Sequence, residues 1–453
     1  MRLPDWVVGR LAEPAWDLYE GSVRLRTYRQ LARAQFDTPE ALAQRRRERL
    51  GALVRHAAAH SPFHAGRLQE AGIDPRGVRD IADLAALPLL TKADIRAGID
   101  GILAANHRRE DLVPAKTGGS TGTALHVYCD RRGVERRNGA ALLADTWSGW
   151  RLGQPMGAVW GNPPAPRTLR NRLRLACKDR IVYLDTMRLD EASVREFVAG
   201  WRRLRPGLLY GHAHSLYLLA GMLEEMGEVL RPDGIVATSM MLLQPEREVI
   251  ERVFARQVTN RYGCEEVSLI ACECERHEGL HLNAEHAAVE LLRDDGSPCA
   301  PGEDGRIVIT EFVNLGMPML RYEVGDRGVL HDRPCSCGRP SPLLRSVTGR
   351  TADFLVAADG SRVAGISLIE NTLTRYPGIA QLQVVQEVVG RVELNVVRAA
   401  GWDEAVAAAL AGAFRDSLGG AEVVLRFVDT IPREPNGKYR FSICRVPGVR
   451  SGA

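Results

Sequence analysis

Residues 207–227 read GLLYGHAHSLYLLAGMLEEMG. A short apolar run, GLLYG at 207–211, closes on glycine. After the turn residues, SLYLLAGMLEEMG carries its apolar side chains at helical spacing. A strand that runs through a tight turn into a helix is one half of a parallel-sheet crossover. The unit does not stand alone. GAVWG (157–161), RIVYLD (180–185), GIVATS (234–239) and QVTNRYG (257–263) are further short apolar or β-rich runs, and PEREVIERVFAR is a second amphipathic helix. Strands alternating with helices predict a mostly parallel sheet with both faces covered. Ligands of such sheets sit at the carboxyl ends of the strands.

Working outward, residues 1–100 read as helices. In TPEALAQRRRERLGALVRHAAAH, Thr38 is placed to cap, Pro39 takes the first helical position and Glu40 the first turn. SPFHAGRLQEAG continues as a shorter helix, and IADLAALPLLTKADIRAGI as short helices and a loop. Residues 280–350 alternate more strictly, in LHLNAEHAAVELL, GRIVITEF and PMLRYEVGDRGVLH, as antiparallel strands do. The tail from Arg350 onward reads hairpin, helix (ISLIENTLTRY), two strands, helix and strand. The fold class expected is therefore α/β. A large domain over residues 1–349 combines mostly parallel sheets, helices and a distorted antiparallel β region, and a small α+β domain spans 350–453.

The chain has 453 residues, too many for one ordinary core, so two or three domains are expected. Its formal charge is +4 with basic and acidic residues interleaved, which argues against a nucleic-acid partner. The basic run QRRRERL (44–50) reads as the solvated face of an amphipathic helix. No apolar stretch reaches the ~20 residues that span a bilayer, and the N-terminal residues lack the apolar core of a signal peptide. A cytoplasmic location without a membrane partner is the expectation. The nine cysteines are then reduced, and a cluster of them points to metal rather than disulfides.

Residues 117–123, TGGSTGT, have the glycines and hydroxyls of a phosphate-wrapping loop. They lack the Lys-Ser or Lys-Thr of the common NTPase loop. Four more motifs follow in order: YGCEE (262–266) and MPMLRYEVGD (317–326) at strand ends, GRTADFL (349–355), and PREPNGKYR (432–440). In this order and spacing the chain resembles the adenylate-forming superfamily of acyl-CoA ligases, adenylation domains and luciferases. Within it, the chain is similar to the phenylacetate–CoA ligase branch and related capsule-biosynthesis-type proteins. SPFHAGRLQEAG…LAALPLLTKADIR is also similar to that branch.

The resemblance implies roles position by position. Thr117, Ser120, Thr121, Gly122 and Thr123 would wrap the β- and γ-phosphates of ATP. Tyr262 and Gly263 would flank the adenine, and Glu266 would hold magnesium. Asp326 would accept hydrogen bonds from the ribose hydroxyls. Arg350 would contact the nucleotide beside a hinge, and Lys438 would bridge the substrate carboxylate and the α-phosphate. A carboxylate attacking an α-phosphate accumulates negative charge, which magnesium and a placed lysine offset. The implied reaction makes an acyl-adenylate and pyrophosphate from ATP and a carboxylic acid, aromatic or otherwise compact. The coenzyme A thiol is the leading acceptor, with a carrier-protein thiol or an amine as rivals. Two positions depart from the family: Glu265 stands where Ser or Thr is usual, and Ala352 precedes Asp353 where paired aspartates are frequent. AADGSRVAG also replaces the segment that helps form the thiol tunnel in phenylacetate ligases. A non-catalytic, metal-binding interaction protein on the same fold is the competing class.

Other residues keep two readings. Trp147, Trp150, His212 and His214 flank the expected carboxylate pocket, and the alternatives are packing for the tryptophans and capping or solvent contact for the histidines. Met240 and Met241 either line a pocket or fill the core. HEGLH (277–281) matches the zinc-protease pattern formally, but Gly279 and the alternation after it oppose the helix that pattern needs. A closed structural zinc site is the better expectation, with Cys274, His281, Cys335 and Cys337 as ligands and Cys272 as substitute. Reduced loop cysteines without metal are the alternative. Expected partners are thus a small carboxylic acid and coenzyme A or a carrier-protein thiol, with a homodimer as a further expectation.

Overall fold

The computed structural model describes residues 3–117, 125–160, 168–185, 191–350, 354–359, 362–364, 376, 378–398, 402–431 and 442–446. At 116, 117, 214, 348–350, 354, 362–364 and 380 only the backbone is described. Five parallel strands form one half of the main sheet: β3 (Met156–Trp160), β4 (Ile181–Asp185), β5 (Leu208–His212), β6 (Gly234–Thr238) and β7 (Val258–Cys264), in the order β4-β3-β5-β6-β7. They are the runs read from the alternation. Helices Glu191–Leu204, Ala213–Glu225 and Gln244–Phe254 supply Phe197, Leu216, Leu219, Leu223, Ile250 and Phe254 to the core beneath them.

The antiparallel strands do not form a separate region. β8 (Ser268–Glu273), β9 (Leu280–Leu282), β10 (Ala287–Leu292), β11 (Asp304–Glu311), β12 (Met319–Leu330) and β13 (Leu343–Arg350) extend the same sheet as β7-β8-β9-β13-β12-β11-β10. The first antiparallel pairing of the main sheet comes at the turn between β7 and β8, and from there the sheet is antiparallel. That reversal is the junction at which the site is built.

Thr38 caps as expected, and two further N-terminal helices are capped as well. Thr38 accepts from the Ala41 N–H ahead of helix Pro39–His60, and Ser61 does the same for Pro62–Glu70. Thr91 and Asp94 form a reciprocal capping box at helix Lys92–Ile102. This layer is tied to β12. Leu90 bridges Tyr322, and the Arg321 guanidinium bonds the carbonyls of Leu84, Ala85 and Leu87. A smaller hairpin, β1 (Val113–Thr117) with β2 (Leu125–Cys129), brackets the residues of TGGSTGT that follow Thr117.

Beyond Arg350, β14 (Phe354–Val356) and β15 (Arg362–Ala364) pair as the expected hairpin. A separate four-stranded sheet follows: β16 (Ile379–Val388), β17 (Arg391–Arg398), β18 (Glu422–Phe427) and β19 (Ser442–Cys444), in the order β18-β17-β16-β19. Helix Glu404–Ser417 packs Leu410 and Phe414 into its own core. Strand β19 has no counterpart in the sequence reading. The helix expected at ISLIENTLTRY falls, except for Tyr376, outside the described residues.

Candidate functional site

The β7–β8 reversal sets Glu266 between two strands. Its side chain is 5 % exposed, accepts the Tyr322 hydroxyl at 2.7 Å, and lies 3.9 Å from the Lys92 ammonium. Gly263 is required here, because a Cβ on it would lie 2.4 Å from the Ser268 carbonyl oxygen. Tyr262 donates its hydroxyl to Asp326 at 2.9 Å. Three strands separate β7 from β12 in the sheet order. The contact forms because β9 is short and meets β13 only at Leu343 and Leu344. Both partners sit at irregularities, the register shifting at Tyr262/Gly263 and at Asp326/Arg327. Bulges re-aim side chains, and they collect next to sites. Gly325, at φ +94°, makes the kink before Asp326.

Tyr262, Gly263, Glu266 and Asp326 are thus brought together as the motifs imply. The backbone of Arg350 pairs with Asp326 across β12 and β13, though its side chain is not described. Thr117 ends β1, again by backbone alone. Ser120, Thr121, Gly122, Thr123 and Lys438 lie outside the described residues. Two neighbours were missed in the sequence. Tyr322 fixes Glu266, and Lys92 faces it. The signal for Lys92 was available: it opens a helix, where the dipole disfavours a cation, so its placement calls for another reason.

Arg137 holds this junction from below. It forms a bidentate pair with Glu311, 2.6 Å at each contact, and donates to the Glu266 carbonyl oxygen at 2.7 Å. Beside it, the carboxyl ends of β3 and β5 carry an aromatic wall. Trp160 stacks on Tyr210 at 5.4 Å and meets His212 at 3.9 Å. Arg261 fixes the wall from behind, bonding the Tyr210 hydroxyl at 2.7 Å and Asp145 at 2.6 Å. Of the expected pocket residues, His212 lies on this wall. Met240 packs against the core under the parallel strands. Trp150 is buried with its indole N–H on the Gln154 carbonyl, which is packing. His214 has no described side chain.

Trp147 is a correction. Its indole N–H bonds Gln35 at 3.0 Å, its ring meets His281 edge-on at 5.8 Å, and Arg339 lies over its face at 4.7 Å. These contacts place it against the cysteine cluster and not on the aromatic wall, because the helix Arg131–Trp147 ends there.

The cluster joins two turns some 60 residues apart. Ligand atoms of Cys274, His281, Cys335 and Cys337 all lie within 4.8 Å of one another. The Cys274 and Cys335 sulfurs are 3.7 Å apart, and Cys337 Sγ is 3.3 Å from His281 Nε2. Backbone N–H groups of Arg276 and Arg339 point at Cys274 and Cys337, and Ser341 bonds His281 Nδ1 at 2.9 Å. Burial lowers His281 to about 4, so its ring is neutral, as a metal ligand must be. Three thiols, one imidazole and an outer set of hydrogen bonds have the chemistry of a closed zinc site. Cys272 is not in the set. HEGLH is a turn running into β9, with Gly279 at φ +146°, so its histidines share no helical face.

Comparison with known proteins finds similar chains. Residues 355–445 match the model of the CapK C-terminal domain. The chain is 25 % identical to phenylacetate-coenzyme A ligase of Thermus thermophilus over 81 % of its length and 80 % of that protein. It is 22 % identical to Protein CapK of Staphylococcus aureus over 80 % of each. Among solved structures, 2-hydroxyisobutyryl-CoA ligase in the postadenylation state superposes with a TM-score of 0.70 at 17 % identity, covering 89 % of each chain. The fold is that of the adenylate-forming ligases, and the sequence is similar to their phenylacetate–CoA ligase branch. Among the described residues, no helix is long and apolar enough to cross a membrane.

Proposed function

We propose that this chain is an AMP-forming acid ligase. It joins a carboxylic acid to the α-phosphate of ATP, releases pyrophosphate, and passes the acyl group to the coenzyme A thiol. The observation that carries the reading is the junction at which Tyr262, Glu266 and Asp326 meet over the ends of the parallel strands, in a chain similar along most of its length to a phenylacetate-coenzyme A ligase.

Asp326 and Tyr262 hold the nucleoside. Glu266, a buried carboxylate whose nearest described cation is 3.9 Å away, would hold magnesium, which when bound draws charge from the phosphates. Trp160, Tyr210 and His212 receive the organic part of the acid, and this wall suits an aromatic or compact one. Thr117, Ser120, Thr121, Gly122 and Thr123 wrap the phosphates in this reading. Lys438 arrives from a mobile domain that begins near Arg350, and it bridges the carboxylate and the α-phosphate. Pyrophosphate release measured across a panel of acids, with and without coenzyme A, tests the whole. No release with any acid would favour the non-catalytic reading, and release with acyl transfer only to an amine or a carrier protein would replace the acceptor. A Lys438→Ala chain is expected to lose about a hundredfold in adenylation. It should still transfer acyl groups from supplied acyl-adenylate, and an unchanged adenylation rate would remove the lysine from this role.

The cysteine cluster holds a structural zinc in this reading, away from the reaction. Metal analysis of the purified chain should find one zinc, lost in Cys335→Ser and in Cys337→Ser. Metal-free wild-type protein of unchanged thermal stability would leave the four residues as reduced thiols and a packed histidine.

A further inference from the structure

The first helical run of the chain is inverted. Residues Asp5–Val7, Val8–Ala12 and Glu13–Glu20 form one helical run with a π turn in its middle. Its carboxylates face the protein. Glu13 and Asp17 are buried on Arg24, Lys178 reaches Asp17 at 3.0 Å, and Asp5 takes Arg180 at 2.9 Å. Four of its large apolar side chains face out, while Val8 is buried. Trp6 is 63 % exposed, Leu18 84 % and Tyr19 72 %, with Leu11 also exposed. Positions 6, 11, 15 and 18 follow one face, the five-residue step falling at the π turn with its extra residue. A surface helix ordinarily shows the reverse pattern, and a contiguous apolar face on the outside marks an interaction surface.

The neighbouring helix Leu169–Arg174 enlarges the face with exposed Leu169 and Leu173. It is fastened by Arg170, which bonds Glu20 at 2.9 Å and lies over the Tyr19 ring at 5.5 Å. The exposed charges carried by these two helices are cations, Arg10 on the first and Arg170 and Arg172 on the second, and Arg131 reaches the Glu20 carbonyl beside them. The acids that would balance them are turned inward and already paired. The face therefore asks for a partner that is apolar beneath and anionic above.

We propose that this face docks the protein peripherally on an anionic lipid bilayer. Leucines enter the acyl boundary, Trp6 and Tyr19 sit at headgroup level, and the arginine rim meets the lipid phosphates. A second copy related by a two-fold axis would instead set the same cationic rim against itself. The expectation of no membrane partner rested on the absence of a spanning segment, which a peripheral face does not need.

Co-sedimentation of the full chain with vesicles tests this. Binding is expected to vesicles of phosphatidylcholine with phosphatidylglycerol, to fall as salt rises, and to be weak on phosphatidylcholine alone. The triple variant Trp6→Ser, Leu18→Ser, Tyr19→Ser should stay in solution while keeping its circular dichroism and its pyrophosphate release. Leu169→Ser with Leu173→Ser should weaken binding independently. Arg10→Gln and Arg172→Gln should each weaken it by about fivefold. Failure to bind the anionic vesicles, or equal binding by the folded triple variant, overturns the proposal. So does a solution dimer that the triple variant dissociates, since the face would then belong to a second copy.

Discussion

Glu266→Gln is expected to lower acid-dependent pyrophosphate release by about 10²–10³-fold, the effect of losing one electrostatic partner of a charged transition state. The substitution keeps the volume of the side chain, and an amide oxygen can still accept the Tyr322 hydroxyl at the present 2.7 Å. The β7–β8 turn should therefore survive. What disappears is the negative charge. A neutral amide is a poor ligand for a hard divalent cation, which takes carboxylate and phosphate oxygens. Rates measured at rising magnesium should recover only in part, while thermal stability stays near that of the parent. Normal adenylation at low magnesium would refute the assignment of Glu266 and shift attention to Asp326 or to residues outside the described set.

Glu311→Gln should be the most damaging single change to stability, at about 3–5 kcal/mol. Glu311 is 1 % exposed and holds both arms of Arg137, itself buried. Removing the charge strands a guanidinium in the interior. Replacing the pair together, as Arg137→Met with Glu311→Leu, should recover most of the loss, because a buried ion pair is costly to break but not to exchange for apolar packing. The double variant should nonetheless adenylate slowly, since Arg137 also fixes the Glu266 carbonyl at 2.7 Å. Denaturation midpoints and pyrophosphate release, measured on the same three proteins, separate the two roles. A single variant within about 1 kcal/mol of the parent would mean that the buried pair does not hold the junction.

Much of this was readable from residues in order. Apolar runs of strand length followed by helical spacing identified β3 to β7, because local periodicity reports which face is buried. The Thr38 cap marked the start of helix Pro39–His60, because a cap is satisfied within four residues. Cys274, His281, Cys335 and Cys337 were offered as a metal set from the CEC and CSCG pairs and His281, and the structure brings those four together without Cys272. The motifs implied to bind nucleotide were legible as a set through resemblance, and in the structure Tyr262 bonds Asp326 while Glu266 sits in the turn after Tyr262's strand.

Tertiary structure decided what depends on residues far apart in the chain. No pattern along the sequence states that the antiparallel strands join the parallel sheet edge to edge, since register is set by pairing between strands. The contact of Tyr262 with Asp326 needs two bulges and a short β9. Trp147 was read either as flanking the carboxylate pocket or as packing, and its helix delivers it to the cysteines. Lys92 was read only as part of a helix, and β12, by pairing with Leu90, brought it to Glu266. The outward face of the first helix was hidden for the same reason. Its acids pair with Arg24, Lys178 and Arg180, contacts made across the fold that no local pattern announces. The sequence determined which residues could pair and which could pack; only the folded chain determined which side of each element was left facing out.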